Sequence, residues 1–295
     1  MLQHRNSEPR DPARVVVLGA RGFLGGATCR RLAAGNIKTL ALGSADLDLL
    51  ADDAAERLAA MLRPDDSLVM FAALTPDRGR DIATLMKNLR MAEAVCAAIA
   101  ARPVAHLVYI SSDAVYPFRD GLVNEDSPAD PSDLYGAMHR TREIMFAASA
   151  GDAPLAILRP TLLYGAGDPH NSYGPNRFRR LAAKDGKITC GGEGEETRDH
   201  LFVEDAAALV VAVLRHGSAG LLNLATGRSA SFREIAALVA ARFDRPIALQ
   251  GSPRQAPITH RAFDVTALHK AFPAFVGTPL EDGLARAHRE ITETA

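Results

Sequence analysis

Three glycines near the start of the chain have the spacing of a loop that binds phosphate groups. Gly19, Gly22 and Gly25 follow directly on the apolar run 15–18 and lie at the beginning of segment 23–34, whose periodicity is helical. Glycines there permit a tight turn and a close approach of the backbone to a pyrophosphate. The helix N-terminus adds free N–H groups and a positive dipole end. In this strand–loop–helix context the glycines predict a dinucleotide site, although glycine spacing alone could serve packing only.

The loop and the end of the second strand bear on which nicotinamide dinucleotide binds. Sites that prefer NAD usually have an acidic residue at the end of that strand, where it binds the ribose diol. Here segment 39–42 is followed by Gly43, and Asp46 and Asp48 come only later. Arg21 lies inside the glycine loop, where it could bind a 2′-phosphate or simply face solvent. The sequence therefore favours NADP over NAD.

The segments that must position this loop alternate between apolar strands and helices. Strands are expected at 15–18, 39–42, 68–72, 106–110, 155–158 and 221–224, and helices at 23–34, 54–62, 81–101, 133–148, 176–183 and 203–214. That alternation predicts an α/β fold, a Rossmann-type doubly wound parallel sheet. Two irregular stretches, 164–198 and the proline-rich chain after Ala225, predict a smaller, discontinuous C-terminal substrate domain.

The expected division of the chain follows from this pattern. Residues 1–13 are polar with two prolines, and they are interpreted as a flexible leader and not as a signal peptide. Residues 14–164 form the dinucleotide-binding Rossmann domain, to which 201–225 return. Residues 165–200 and 226–295 form the smaller substrate-binding domain, above the carboxyl ends of the strands.

The composition narrows the classes of partner. The formal net charge is −1, with charges of both signs mixed along the chain, which argues against a nucleic acid or an anionic membrane as main partner. No apolar run approaches the length that crosses a bilayer. The three cysteines are far apart and the nine histidines form no ligand cluster, so no metal site is expected. A cytoplasmic enzyme fits all of these features.

Further motifs follow the glycine loop in a fixed order. They are SSDAVYP (111–117), YGAMH (135–139), RP (159–160), YG (164–165), GPN (174–176), RDHLFVED (198–205), NLA (223–225) and LEDGL (280–284). Together with the glycine loop, these motifs resemble the extended short-chain dehydrogenase/reductase family, the nucleotide-sugar epimerases, dehydratases and reductases. The resemblance extends from about Arg14 to Arg289. It implies a dinucleotide cofactor and a nucleotide-sugar substrate.

The resemblance also implies the catalytic groups. Tyr135 would be the general acid/base that exchanges a proton with a sugar hydroxyl or keto oxygen, and Ser112 would hydrogen-bond the same oxygen. The alternative is structural, with Ser112 capping a strand end and Tyr135 an exposed ring. Asp113 is a further catalytic candidate. Dehydratases of the family have Asp and Glu after the active-site Ser or Thr, and Ala114 in place of Glu disfavours dehydration.

The chain departs from the family at His139. The family has a lysine four residues after the tyrosine, where it binds the nicotinamide ribose and lowers the tyrosine pKa. Residues four apart share a helix face, so His139 can still reach the ribose. A histidine with an ordinary pKa near 6.5 is mostly neutral at pH 7, however. The protein is therefore an enzyme with a weaker activator or a catalytically weak dinucleotide-binding protein, and the presence of Ser112 and Tyr135 favours the enzyme.

Two sets of binding residues are implied by the resemblance. The cofactor set is Gly19, Arg21, Gly22, Phe23, Leu24, Gly25, Asp48, Leu49, Ala72, Ala73, Tyr135 and His139. The substrate set is Ser112, Asn171, Asn176, Phe178, Arg198 and Arg261. In that set the planar guanidinium of Arg198 would clamp the diphosphate, unless it forms a salt bridge to Glu195, Glu196 or Asp199.

The implied function is NAD(P)-dependent oxidoreduction or epimerisation of a nucleotide-linked sugar. Reduction of a 4-keto sugar is favoured, because Arg21 and a length near 300 residues suit a reductase. A nucleotide-sugar 4-epimerase is the alternative, and an oxidoreductase of a substrate without a nucleotide is a third interpretation. By analogy with the family, two copies would pair as a homodimer through helices 81–101 and 133–148.

Overall fold

The computed structural model of the chain describes residues 1–169 and 174–293. Its strands are β1 (Arg14–Leu18), β2 (Thr39–Leu42), β3 (Asp66–Met70), β4 (His106–Ile110), β5 (Leu122–Val123), β6 (Leu155–Pro160), β7 (Leu162–Tyr164), β8 (Lys187–Gly191), β9 (Thr197–Phe202), β10 (Gly220–Leu224), β11 (Ser229–Ser231), β12 (Ala248–Ser252) and β13 (Ala262–Phe263). Its helices are α1 (Phe23–Ala34), α2 (Ala54–Met61), α3 (Ile82–Ala101), α4 (Leu134–Ser149), α5 (Pro175–Asp185), α6 (Val203–His216), α7 (Phe232–Ala240), α8 (Thr266–Ala271) and α9 (Leu280–Thr292). Within the described residues, no helix is both long and apolar enough to cross a bilayer.

The central sheet has six strands in the order β10-β6-β4-β3-β1-β2, and every neighbouring pair is parallel. Helices α1 and α6 pack in the core on one face, and α2, α3 and α4 contribute to the core on the other. Because both faces are covered, all residues of β3 and β4 are buried, which explains their apolar runs. The expected doubly wound Rossmann sheet is confirmed.

A smaller substructure is built on the returning parts of the chain. A three-stranded sheet joins β7, β9 and β11, and a two-stranded sheet joins β8 and β12. Residues of α5, α7 and α9 close a separate apolar core against these strands. Helix α8, although expected in the substrate domain, packs through Leu268 on the Rossmann core instead. The expected boundary at 226–295 is therefore too simple, since this part of the segment returns to the central sheet.

The N-terminal segment is held against the Rossmann core, which corrects the expectation of a flexible leader at 1–13. The backbones of Gln3 and Ala219 exchange two hydrogen bonds, each 2.8 Å long. The ring of His4 stacks on that of His216, with the centroids 4.3 Å apart. The polar composition was misleading because backbone pairing and ring stacking, together with Leu2 packed on the core, fix this segment.

Candidate functional site

A cleft of about 790 Å³ opens at the carboxyl ends of the central strands. This is the edge at which doubly wound sheets bind ligands. Its volume lies within the range of roughly 300–1,000 Å³ that small-molecule sites occupy. The lining combines the glycine loop, the segment after β4, the first turns of α4 and three side chains from the later part of the chain, Arg198, His200 and Arg261.

The glycine loop forms a cradle that side chains would fill. Gly19 has a φ of +88°, and a Cβ there would lie 2.7 Å from the backbone nitrogen of Ala72. A Cβ on Gly25 would collide with the carbonyl oxygen of Gly19. The N-cap of α1 is Gly22 and carries no side-chain cap, which leaves N–H groups of the first turn for a ligand. The cradle therefore fits the pyrophosphate of a dinucleotide.

The cleft brings together every residue of the expected cofactor set. Gly19, Arg21, Gly22, Phe23, Leu24, Gly25, Asp48, Leu49, Ala72, Ala73, Tyr135 and His139 all line it. Segment 74–78, which follows β3, also lines the cleft and was not among the expected residues. It has no regular structure, so periodicity offered no signal for it.

Arg21 lies at the far end of this set, over the turn that follows β2. A Cβ on Gly43 would be 2.9 Å from Cδ of Arg21, so the arginine stem rests on that glycine. The guanidinium is exposed and lies 3.4 Å from the carboxylate of Asp46. The same carboxylate accepts a hydrogen bond of 2.9 Å from the backbone N–H of Gly43. The exposed guanidinium of Arg21 thus lies near the end of β2, where the sequence lacks the acidic residue typical of NAD sites.

Ser112 and Tyr135 both line the cleft, because α4 begins close to the segment that follows β4. The side chain of Asp133 caps α4 by accepting from the N–H of Gly136 at 2.7 Å. A Cβ on Gly136 would collide with the carbonyl oxygen of Ala114, so glycine allows this close approach. Ser112 Oγ accepts from the Ala114 N–H at 3.1 Å, which makes it a cap. Ser112 lines the cleft, and its hydroxyl hydrogen makes only a long contact of 3.5 Å to the Asp113 carboxylate, so it can turn to donate to a ligand.

His139 is buried, and its two ring nitrogens have different surroundings. Nδ1 lies 2.7 Å from the Tyr109 hydroxyl, whereas Nε2 is buried with no hydrogen-bond partner among the described residues. The ring lies edge-on to that of Tyr135, with the centroids 4.7 Å apart. Burial, and then the charge of Arg142, lowers the pKa of His139 to about 3. The imidazole is therefore neutral at physiological pH, as its sequence suggested.

Arg142 is a buried cation near the cleft that was not among the expected site residues. It is fully buried, and it donates to the carbonyl oxygens of Ala72 at 3.0 Å and Asn88 at 3.1 Å. Ala72 lies at the end of β3 and lines the cleft. A permanent positive charge therefore stands beside His139, although it occupies a different position from the family's lysine.

A buried ion pair anchors α4 behind the cleft. Glu143 accepts two hydrogen bonds of 2.7 Å from Arg159 on β6 and a third, also 2.7 Å, from the Ser111 hydroxyl at the end of β4. Arg159 also donates to the Tyr116 hydroxyl, which donates in turn to Asn223. The Glu143 carboxylate therefore joins α4, β6 and the end of β4.

Arg198 lies in the cleft with its guanidinium partly held by its surroundings. It donates to the carbonyl oxygen of Thr259 and to its hydroxyl, both at 2.7 Å. Its charge stacks on Phe118, 4.6 Å from the ring centroid. Glu195 and Glu196, the alternative partners expected for Arg198, instead bind Arg254. Arg198 lines the cleft, and its contact with an anionic ligand stays a prediction.

Arg261 and Asp113, both expected at the site, bind each other. Arg261 donates to the Asp113 carboxylate at 3.0 Å, to the Asp113 carbonyl at 2.9 Å and to the Tyr116 carbonyl at 2.6 Å. Both side chains are buried. Arg261 therefore holds the 113–116 segment in place, and Asp113 is its counter-ion. Both residues also line the cleft, so a substrate contact of Arg261 and a catalytic role of Asp113 stay predictions.

Two expected substrate contacts on α5 are structural, and a third lies outside the described residues. Phe178 is buried in the core of the smaller substructure, with its ring centroid 6.2 Å from that of Phe232. Asn176 is buried and donates to the carbonyl oxygens of Gly165 and Asp168 at 3.1 and 3.4 Å. Asn171 is the residue that the structure does not describe.

His200 is a cleft residue that the sequence analysis missed. Its Nδ1 lies 3.2 Å from the carbonyl oxygen of Arg198, and a carbonyl only accepts, so Nδ1 carries the proton. Nε2 is then an acceptor, and it is buried without a partner among the described residues. Burial lowers the pKa of His200 to about 4 and keeps the ring neutral. Nothing in the motif RDHLFVED marks the histidine as different from its neighbours.

Known proteins resemble the chain in sequence and in fold. It is 31% identical to dTDP-L-rhamnose 4-epimerase of Burkholderia thailandensis over 144 residues, which cover 46% of the chain but only 40% of that protein. It is 25% identical to dTDP-4-dehydro-6-deoxy-D-allose reductase of Streptomyces bikiniensis, with 93% and 95% of the two chains covered. The solved structure of MoeE5 in complex with UDP-glucose and NAD superposes with a TM-score of 0.82 at 24% identity, over 95% of this chain and 99% of that one. The model of the NAD dependent epimerase/dehydratase family matches residues 15–225, from β1 to β10, and the chain therefore belongs to that family.

Proposed function

We propose that the protein is an NAD(P)-dependent enzyme that reduces a 4-keto group of a nucleotide-linked sugar. The observation that carries the proposal is that Ser112, Tyr135 and the glycine cradle line one cleft, which Arg198 and His200 line as well. The cradle suits a dinucleotide, and the arginine suits a diphosphate. The buried acceptor of His200 suits a sugar hydroxyl.

In the proposed reaction the nicotinamide supplies the hydride, and the protein handles the proton. Tyr135 donates a proton to the keto oxygen, while Ser112 donates a hydrogen bond to it. His139 hydrogen-bonds a ribose hydroxyl of the cofactor. A lysine at position 139 would favour the phenolate, whereas the neutral His139 favours the protonated tyrosine that reduction uses.

The surroundings of Asp113 argue against elimination of water. A dehydratase needs acid and base groups beside the serine, and here Ala114 offers none while Asp113 is bound by Arg261. A 4-epimerase is the second candidate, which the 31% identity to an enzyme of that name favours.

A homodimer through α3 and α4 stays a prediction of the resemblance. These helices expose apolar side chains, Ile82, Met86 and Ile144, that a second copy would cover.

Consumption of cofactor separates the two candidate reactions. The purified protein is mixed with NADPH and a dTDP-linked 4-keto-6-deoxy sugar, and NADPH absorbance is followed beside product formation. A reductase consumes one NADPH for each sugar reduced. An epimerase converts a dTDP- or UDP-hexose into its C4 epimer with no net consumption. Failure of NADPH and NADH to bind at all would refute both.

The exposed position of Arg21 predicts the choice of cofactor. NADPH should bind more tightly than NADH, and Arg21→Ala should shrink the difference about five- to thirtyfold, the effect of one charge-assisted contact of about 1–2 kcal/mol. Asp46→Asn is the matched variant. It removes the carboxylate 3.4 Å from Arg21 and should widen the preference. Dissociation constants from fluorescence titration measure both, and equal affinities of the wild type for the two cofactors would contradict the assignment.

Arg198 is predicted to bind the diphosphate of the substrate. Arg198→Ala should weaken binding of dTDP and UDP about tenfold or more, because a charged hydrogen bond is lost, while NADPH affinity stays nearly constant. Arg233→Ala is the control, since Arg233 forms an exposed ion pair with Glu193 near the same substructure. Calorimetric titration measures each affinity. Unchanged dTDP and UDP binding in Arg198→Ala would mean that Arg198 does not bind the diphosphate and has only a structural role beside Thr259.

A further inference from the structure

The contact between Tyr109 and His139 determines which ring nitrogen of the histidine carries the proton. Tyr109 lies on β4, fully buried, and its hydroxyl is 2.7 Å from His139 Nδ1. A phenol has a single hydrogen to donate. If Nδ1 carried a proton and donated it to the phenol oxygen, the buried Tyr109 hydrogen would have no acceptor among the described residues, which is costly. The phenol must therefore donate and Nδ1 must accept.

The neighbouring charge prevents the ring from carrying both protons. Arg142 is buried on the same helix, has only donors, and directs two of them at backbone carbonyl oxygens. Its positive charge and the burial of the ring both oppose an imidazolium. A neutral imidazole that accepts at Nδ1 carries its proton on Nε2. Nε2 is the nitrogen that has no partner within the described residues, on a side chain that lines the cleft.

We propose that Tyr109 is a positioning residue that fixes the Nε2-protonated tautomer of His139, so that the histidine presents one permanent donor to a hydroxyl oxygen of the dinucleotide ribose. The identity of that ligand rests on the proposed function, whereas the tautomer rests on the geometry alone. The pair replaces the charge of a lysine by a neutral donor of fixed direction. His139 and Tyr109 thus act as one unit whose second member never touches the ligand.

Nuclear magnetic resonance of the ligand-free protein tests the tautomer directly. The protein is labelled with 15N-histidine, and the His139 signals are assigned by their loss in His139→Gln. In the wild type, Nδ1 should resonate as an unprotonated ring nitrogen and Nε2 as a protonated one. In Tyr109→Phe the Nδ1-protonated form should become populated, because no hydroxyl then donates a hydrogen bond to Nδ1. A protonated Nδ1 in the wild type, or identical spectra in both proteins, would overturn the proposal.

Cofactor affinity tests whether the fixed donor is used. Tyr109→Phe should weaken NADPH binding about three- to tenfold, the range of one neutral hydrogen bond. Gln at position 139 offers an amide donor that has no tautomer, so Tyr109→Phe should cost nothing further in the His139→Gln background. Tyr164→Phe, which removes another buried hydroxyl from the smaller substructure, is the control and should bind NADPH normally.

The outcomes distinguish this inference from the proposed function. Equal losses from Tyr109→Phe in both backgrounds mean that Tyr109 acts on folding alone, and the inference is then wrong. NADPH binding together with a protonated Nδ1 also overturns it, while the proposed function stands. The expected tautomer without any binding of NADPH or NADH refutes the proposed function, and with it the assigned ligand, but leaves the Tyr109–His139 geometry intact.

Discussion

Tyr135→Phe is expected to lower turnover of a keto sugar by about 10²–10⁴ while NADPH affinity stays near the wild-type value. The change deletes only the oxygen that donates the proton and keeps the ring, which lies edge-on to His139. Ser112→Ala should cost about a hundredfold or more, since it removes the second hydrogen bond to the reacting oxygen. The rate of NADPH oxidation at saturating sugar measures both losses.

The controls must separate lost chemistry from lost structure. Ser112 also caps the Ala114 N–H, so Ser112→Ala is compared with Ser112→Thr, which keeps a hydroxyl for both contacts. Tyr164→Phe removes a buried phenol oxygen elsewhere and should leave the rate unchanged. Melting temperature and NADPH titration accompany every variant. Wild-type turnover in Tyr135→Phe would show that another group supplies the proton.

The central sheet could be predicted because burial on both faces gives each strand an apolar run. Strand β3 shows where this apolar pattern fails to predict the bounds of a strand. The third strand was expected at 68–72, but it begins two residues earlier, at Asp66, which is fully buried. Two hydrogen bonds from Arg14, at 2.7 and 2.6 Å, compensate that carboxylate. A charge that is buried because of a distant partner leaves no trace in local periodicity.

Part of the candidate site could likewise be predicted from local sequence, and part depends on residues distant in the chain. The glycine cradle and the Ser112 and Tyr135 pair are local motifs at the ends of predicted elements, so their common cleft could be anticipated. The role of Arg261 could not, because its partner Asp113 is 148 positions away in the chain. Phe178 was expected at the site from the family resemblance, but the short strands and helices of the smaller substructure enclose it. Side-chain contacts across the fold decide these roles.

The same dependence on distant partners makes the Glu143–Arg159 pair a strong determinant of stability. Glu143 is on α4, four residues after His139, and Arg159 is on β6. Both side chains are almost wholly buried, with exposed fractions of 1% and 4%. Burial alone would raise the pKa of Glu143, but the hydrogen bond with Arg159 and its charge outweigh this and lower the pKa below its usual value. The carboxylate is therefore the stable form in the folded protein.

Glu143→Gln is expected to destabilise the protein by about 3–5 kcal/mol at pH 7, because Arg159 is left buried without a counter-charge. Urea denaturation measures the loss. The folded-state pKa is lowered, so the stabilisation is present above the usual pKa of about 4.5 and is lost as pH falls through the folded value. The difference between wild type and variant should therefore shrink in acid.

Replacing both partners by methionine should recover most of the loss, since no unpaired charge remains. Glu281→Gln, which breaks the more exposed pair with Arg242, should cost less than about 1 kcal/mol. Equal effects of the Glu143 and Glu281 variants would mean that the buried pair does not anchor α4.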